Sequence, residues 1–290
     1  MNPLLVSIVI PTFNRSAMLR RCIESAIAQT HSCEVIVVDH GSIDDTPSVA
    51  RSFGDRIRYI RRDDDYGVHF CWLDGVLAAK GDFIHINFDD DFMHPSFIEK
   101  CMALAAPDVA FVMSGAVVRD EVSGRTLSHL FADIAPTGVH PVSRFMRHQI
   151  RGLISPCALI IRKKDILDFL FVGGVPFARY EYRGVGPDWL MSAMATLRYP
   201  NFGYVNEALV VFSSHEGSIT IDAQKDAVRH RALNLAYQQA RKFYAVSYLM
   251  SRLRLDFLAY FFLKFLQQSA RLQSKFHRLF ASKSTFKSYE

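Results

Sequence analysis

Four short apolar runs punctuate the first third of the chain, and each is followed by room for one helix. They cover 6–11, 34–39, 57–60 and 83–88. Val, Ile and Phe dominate them without strict polar alternation, which is the pattern of strands buried on both faces. Helical patterns intervene at 17–29, after Ile43-Asp44-Asp45-Thr46-Pro47, and at 70–79. Strand, helix, strand at this spacing requires crossover connections. The predicted class is therefore α/β, a doubly wound, Rossmann-like, mainly parallel sheet. After a strand at 109–118 the regularity fades. Residues 119–152 read as loop, with Gly124, Pro136, Gly138 and Pro141 marking turns. Further strands are expected at 153–161 and 208–212, and a helix at 188–197.

Three consecutive carboxylates, Asp89-Asp90-Asp91, close the fourth run in "GDFIHINFDDDFMHP". In an open α/β sheet the carboxyl ends of strands are where ligands bind. Packed anions repel unless a cation or a hydrogen-bond network offsets them. Two carboxylates spaced one apart, completed by water and phosphate oxygens, suit octahedral Mg²⁺ or Mn²⁺. The plainer alternative is an acidic turn in which Asp91 caps a helix starting near Pro95.

Cysteine and charge narrow the setting. Cys22, Cys33, Cys71, Cys101 and Cys157 are odd in number and widely spaced, without a Cys-x-x-Cys pair. Zinc and a disulfide framework are not expected, and a reducing compartment fits. Met1-Asn2-Pro3 leads into an apolar run too short for a secretory signal, so a cytoplasmic location is expected. The net charge of +5 is uneven. Up to Thr220 there are 21 basic against 25 acidic side chains; from Ile221 onward the counts are 13 and 4. Within 243–272 a run rich in Phe, Tyr and Leu is broken by Arg252, Arg254, Asp256 and Lys264. No uncharged stretch there approaches the roughly 20 residues that span a bilayer. Two readings stay open: an interfacial helix, with 243–287 meeting an anionic membrane surface, or a helical hairpin packed on the main domain. Cations mixed with long apolar runs suit lipid better than a phosphate track, so nucleic acid is not an expected partner.

The order of these elements resembles family 2 glycosyltransferases of the GT-A fold. "VSIVIPTFNR" resembles the family's first strand and its Pro-Thr/Tyr-x-Asn turn. "EVIVVDHGSIDDT" is similar to its second strand and Asp-x-Gly-Ser-x-Asp element. "YGVHFCWLDGVLAAKGDFIHINFDDD" resembles the glycine-marked helix leading to the acidic metal motif. The resemblance spans about 6–220. It implies a GT-A domain over 1–220, with a nucleotide half at 1–118 and an acceptor half at 119–220. A basic amphipathic helical extension would occupy 221–290.

The same resemblance implies an inverting, divalent-metal-dependent transfer from a UDP- or dTDP-sugar to a hydroxyl of a glycan or lipid-linked saccharide. Cell-envelope polysaccharide synthesis would be the setting, with the enzyme peripheral on the inner face of the plasma membrane. Pro11, Thr12, Asn14, Arg15, Asp39, Asp65, Asp89 and Asp90 would bind the donor nucleotide. Asp39 would accept an imide N–H of the base or bond its own turn beside Gly41-Ser42. Asp89, Asp91 and His215 would hold Mn²⁺ or Mg²⁺, with Ser218 adding a hydroxyl beside His215. Asp188, in "RGVGPDWLMSAM", would be the general base or the helix N-cap. Tyr182, Arg183 and the Ser155-Pro156 loop would line the acceptor pocket.

Two departures stand out. His40 occupies a position that often carries a second acid, and Leu73-Asp74 stands where the family often has Arg-Asn. The missing guanidinium would be supplied by Arg61, Arg62 or Arg15, or its role lost. Asp63-Asp64-Asp65 reads as a solvated loop, with Asp65 near the base. Alternatives are a non-catalytic nucleotide-sugar-binding module and a nucleotidyltransferase. The latter usually carries a glycine-rich loop that "PTFNRSAML" lacks.

Overall fold

The computed structural model describes residues 5–149, 155–179 and 182–252. The four apolar runs form β1 (Val6–Thr12), β2 (Cys33–His40), β3 (Arg58–Arg62) and β4 (Phe83–Ile86). Every residue of β1 and β4 is buried. These strands pair in parallel, in the order β3-β2-β1-β4. Helix α1 (Ser16–Ile27) buries Leu19, Cys22, Ile23 and Ala26 on one face, the spacing of an amphipathic helix. Between β2 and β3 lies α2 (Thr46–Arg51), and α3 (Val68–Ala78) precedes β4. Gly75 lets α3 sit close on the sheet, since a Cβ there would meet Val9 Cγ1 at 2.2 Å.

Beyond β4 the sheet continues β9-β6-β10-β5 and becomes mixed. Short β5 (Phe92–Met93) and α4 (Phe97–Met102) lead to β6 (Val109–Asp120) and β7 (Thr126–Leu130), then to β8 (Gly138–Pro141) and α5 (Val142–Gln149). Then come β9 (Leu159–Arg162), α6 (Lys163–Phe169), α7 (Pro187–Ala195), β10 (Asn201–Ser214), α8 (Ile219–Gln224) and α9 (Ala227–Arg252). Strand β10 runs parallel to β6, while β9 is antiparallel to both β4 and β6.

Several expectations shift here. Residues 119–152 contain two strands and a helix, because β7 and β8 are edge strands paired to β6 and β10. Their largely exposed faces carry little apolar periodicity. The strand expected at 208–212 begins at Asn201 and bends through register shifts near Val205 and Ala208. That bend hid its length from pattern reading. The strand expected at 153–161 begins at Leu159, after a 3₁₀ turn at Pro156–Ala158, and 153–154 lie outside the described residues.

Helix α9 buries Leu233, Ala236, Ala240 and Tyr244. The chain divides into two compact units between Tyr244 and Ala245. Among the described residues, no helix is long and apolar enough to cross a membrane. Most of the expected membrane-facing segment, 243–287, lies outside them.

Candidate active site

A cavity of about 680 Å³ opens at the carboxyl ends of β1, β2 and β4, in the size range of small-molecule sites. The acidic triplet lies in a turn, closed by Asp91 N–H donating to Phe88 O at 3.0 Å, that carries the chain from β4 toward β5. Asp89 and Asp91 are buried. Thr12 Oγ1, at the end of β1, donates to Asp89 Oδ2 at 2.8 Å. The Ser213 backbone N–H, at the end of β10, donates to Asp91 Oδ1 at 3.0 Å. Asp91 is thus tied to β10, and α4 begins after Ser96 instead. Two strands distant in sequence therefore fix the two outer carboxylates.

Asp90 is paired differently. Arg15 Nη1 donates to its Oδ2 at 2.5 Å, and His215 Nε2 lies 3.0 Å from the same oxygen. His215 Nδ1 accepts the Gly217 backbone N–H at 3.2 Å. Acceptance at Nδ1 assigns the hydrogen to Nε2, on the side of Asp90, and Arg15 Nη1 also lies 3.2 Å from that nitrogen.

Charge in this cluster is unbalanced. Burial, then the charge of Asp90, pushes Asp89 up to about 7 against the pull of Arg15. The same two causes raise Asp91 well above the carboxylate range. Burial also disfavours the Asp90 anion, but the His215 hydrogen bond and the Arg15 charge more than offset it, and its carboxyl lies below the ordinary range. Two buried carboxylates that resist ionisation are short of positive charge, which fits a divalent cation. Among the described residues no three His, Cys, Asp or Glu side chains already form a metal cage. Hard cations such as Mg²⁺ are commonly held by one or two carboxylates plus substrate phosphates, so the donor set suits that class.

The cavity wall includes Pro11, Thr12, Arg15 and Asp65, with the triplet below. Asp188, Arg183, Ser155 and Ser218 line it as well. Asn14 and Asp39 lie outside the cavity lining, Asn14 exposed and Asp39 buried. Asn14 adopts a left-handed backbone (φ 51°), and its Oδ1 accepts the Ile43 N–H at 2.8 Å, joining two loops. Asp39 is fully buried, accepting from Ser42 N–H at 2.9 Å, Tyr59 OH at 2.5 Å and Arg61 at 3.3 Å. His40 reaches the wall in its stead, and its Nδ1 lies 2.9 Å from Asp65 Oδ1. Asp63, Asp64 and Asp65 are all exposed. Of the three arginines considered as substitutes, Arg61 pairs with Asp39 and Arg62 with Asp74. Arg15 alone of the three lines the cavity.

Asp188 sits in the first turn of α7 after Gly186, whose φ of 112° suits glycine. Its Oδ1 accepts the Gly186 N–H at 2.8 Å. Burial raises its pKa, against the pull of backbone donors at Trp189 and Gly186. The carboxylate thus bonds the helix entry while lining the cavity.

Pattern reading missed several contributors. Trp72, Phe131, Phe212 and Tyr237 line the cavity, and no local motif distinguishes them from core aromatics. Arg21, in mid-helix, bonds Glu121 at 2.8 and 2.9 Å and Ser213 Oγ at 3.0 Å. Only the tertiary structure brings those three together.

Comparison with known proteins agrees with this architecture. The model of glycosyl transferase family 2 matches residues 7–167. The chain belongs to that family. It is 32% identical over 169 residues to an uncharacterized glycosyltransferase of Rickettsia felis, covering 55% of this chain and 27% of that protein. Against the chondroitin synthase of Escherichia coli identity is 35% over 102 residues, 34% of this chain and 15% of that one. The chain therefore matches about a quarter or less of these relatives' length. Among solved structures, S. aureus TarS 1-349 in complex with UDP-GlcNAc superposes with a TM-score of 0.60 at 15% identity, covering 85% of this chain and 72% of that 1-349 chain. That likeness identifies the GT-A fold.

Proposed function

We propose that this chain is an inverting glycosyltransferase that moves a sugar from a UDP- or dTDP-linked donor to a hydroxyl of a glycan or lipid-linked saccharide. The observation that carries the proposal is one cavity holding both the charge-starved pair Asp89 and Asp91 and the half-buried carboxylate of Asp188. TarS was crystallised with UDP-GlcNAc and with UDP, which supports a nucleotide-sugar as ligand here.

In this reading Asp91 and Asp89 would hold Mn²⁺ or Mg²⁺, and His215 would join them on leaving Asp90. Bound there, the metal supplies positive charge that stabilises a departing nucleoside diphosphate. Arg15 lies beside the triplet and adds a second, permanent cation for the diphosphate. Asp188 takes the proton of the acceptor hydroxyl, and burial raises its basicity for that role. The acceptor oxygen forms its bond to the anomeric carbon as the bond to phosphate oxygen breaks. The electron pair leaves with the diphosphate, and single displacement inverts the centre. His40 and Asp65, with Pro11 and Thr12, border the nucleoside end, while Asp39 supports that end from outside the lining. Residues 1–118 serve the nucleotide and 119–220 the acceptor, with 243–287 of the basic extension meeting an anionic membrane surface on the cytoplasmic side, in cell-envelope polysaccharide synthesis.

The test is calorimetric titration of UDP and dTDP with Mn²⁺ or with EDTA, for wild type and Asp91→Ala. Metal-dependent binding that vanishes in the variant is expected. Absence of binding to wild type under every metal condition would overturn the donor-site assignment.

A further inference from the structure

The cavity has a second, apolar flank. In the sheet order, β2 with His40 lies on one side of β1, while β6 and β10 lie beyond β4 and β9 on the other. The acidic turn follows β4, between these flanks. Val118, Leu130, Phe131 and Phe212 line the cavity on the β6–β10 side. None of these four side chains offers a hydrogen bond.

This wall is built against a backbone preference. Phe131 has φ of 58° and Asp133 has φ of 53°, a left-handed conformation that residues with bulky side chains rarely adopt. A polar network holds the segment in place. Tyr204 OH lies 2.6 Å from Phe131 O and 3.0 Å from Asn206 Oδ1. Asp133 N–H donates to Asn206 Oδ1 at 3.2 Å, and Asn206 N–H donates to Thr137 Oγ1 at 2.9 Å. The Phe131 ring is half-buried and meets Phe212 edge-on, with centroids 6.4 Å apart and planes at 76°. Strain held by a dedicated network at a cavity wall marks a pre-organised contact surface. A glycine would take the same backbone without the cost.

We infer that Phe131, backed by Phe212, is a specificity-determining residue for the transferred glycosyl group, taking the apolar C–H face of a neutral pyranose. The inference rests on the donor-site reading above. With the nucleoside on the β2 flank and the diphosphate at the acidic turn, the sugar extends toward β6 and β10. A hexuronate placed there would set its carboxylate against these apolar side chains, with only the Ser213 and Ser214 hydroxyls and no cation among the lining residues of β6, β7 and β10, which is unfavourable. The site therefore selects neutral sugars.

The experiment compares UDP, UDP-glucose, UDP-N-acetylglucosamine and UDP-glucuronic acid, and the dTDP and dTDP-glucose pair, by calorimetry with Mn²⁺. Wild type, Phe131→Gly and Phe131→Leu are run together with their melting curves. Wild type is expected to bind the best neutral nucleotide-sugar at least tenfold tighter than UDP-glucuronic acid. In both variants nucleotide affinity stays within twofold, whereas the best nucleotide-sugar weakens roughly tenfold, the scale of one lost aromatic contact. Phe131→Gly relieves the left-handed strain but strips the ring from the core it packs against, so it should melt below wild type, whereas Phe131→Leu, which keeps apolar bulk, should melt close to it. Equal losses for nucleotide and nucleotide-sugar, or no loss for either, would overturn the inference and leave the donor site standing. Failure of wild type to bind any nucleotide removes the donor site and this inference together, and the nucleotide arm alone reveals it.

Discussion

Asp90 and His215 are joined through one oxygen, with His215 Nε2 3.0 Å from Asp90 Oδ2 across 125 residues of chain. Arg15 shares that oxygen at 2.5 Å. The middle acid of the triplet is therefore the best compensated in the protein alone, while Asp89 has only the longer, 3.8 Å approach of Arg15 Nε. This predicts opposite signs for two isosteric substitutions. Asp90→Asn removes the anion that pairs Arg15 and His215, and should lower stability by about 1–3 kcal/mol. Asp89→Asn removes a buried charge that the fold disfavours, and should leave the metal-free protein unchanged or stabilised at pH 8. Urea unfolding in EDTA measures both. Equal destabilisation by the two would contradict this account of the cluster.

The raised carboxylates also set a pH dependence. Asp89 titrates near 7 in the fold, against an ordinary value of 3.8. Between those values the folded state binds more protons than the unfolded chain, so stability falls as pH rises through the window. Asp91, also raised by burial and by the charge of Asp90, adds to the loss in the same direction. Arg15, Asp90 and Cys22 face the same pair, and Asp90, shifted down, contributes only at the acid end. Metal-free protein should melt lower at pH 7.5 than at pH 5, and Mn²⁺ should reverse much of the loss at the higher pH. A metal-insensitive melting temperature at pH 7.5 would argue against cation binding here.

Asp188 allows a separation of binding from chemistry. Its Oδ1 bonds the Gly186 N–H, and an asparagine keeps that acceptor while losing the base. Asp188→Asn should bind UDP as wild type does and turn over about 10²- to 10⁴-fold more slowly, the usual scale for a general base. Turnover by product release and nucleotide affinity by calorimetry check the two halves. Weakened nucleotide binding in this variant would instead assign Asp188 a structural role.

β1, β2 and β4 were legible in the sequence because burial on both faces leaves apolar runs, whereas β3, expected to be buried as well, is an edge strand with Arg58 and Arg61 exposed. The acidic triplet was legible for the same reason: the run 83–88 that contains β4 changes abruptly from Phe88 to Asp89. Asp39 shows where such reading stops. Its position at the end of β2 was plain, but its direction was not. Tyr59 and Arg61 lie on β3, paired beside β2, and they draw its carboxylate away from the cavity wall. Phe131 was hidden for another reason. Nothing in "HLFADIAP" signals a left-handed backbone, which is imposed by Tyr204 and Asn206 from a distant strand. Local pattern carries elements and their ends, whereas side-chain direction depends on partners from elsewhere in the chain.

Arg21 tests that dependence on distant partners. It projects from α1, forks onto both Glu121 oxygens at 2.8 and 2.9 Å, and donates to Ser213 Oγ at 3.0 Å. Its guanidinium also lies 4.5 Å from the Phe92 ring centroid, immediately after the triplet. Ser213 in turn holds Asp91 through its backbone N–H. Arg21→Ala should therefore loosen Asp91 without touching any ligand. The Mn²⁺ concentration for half-maximal UDP binding should rise roughly tenfold, equivalent to about 1.4 kcal/mol. Arg21→Lys should recover only part of this, because an ammonium cannot reproduce the two-pronged contact. If the metal requirement stays at the wild-type value while only the melting temperature falls, Arg21 braces the fold and not the site.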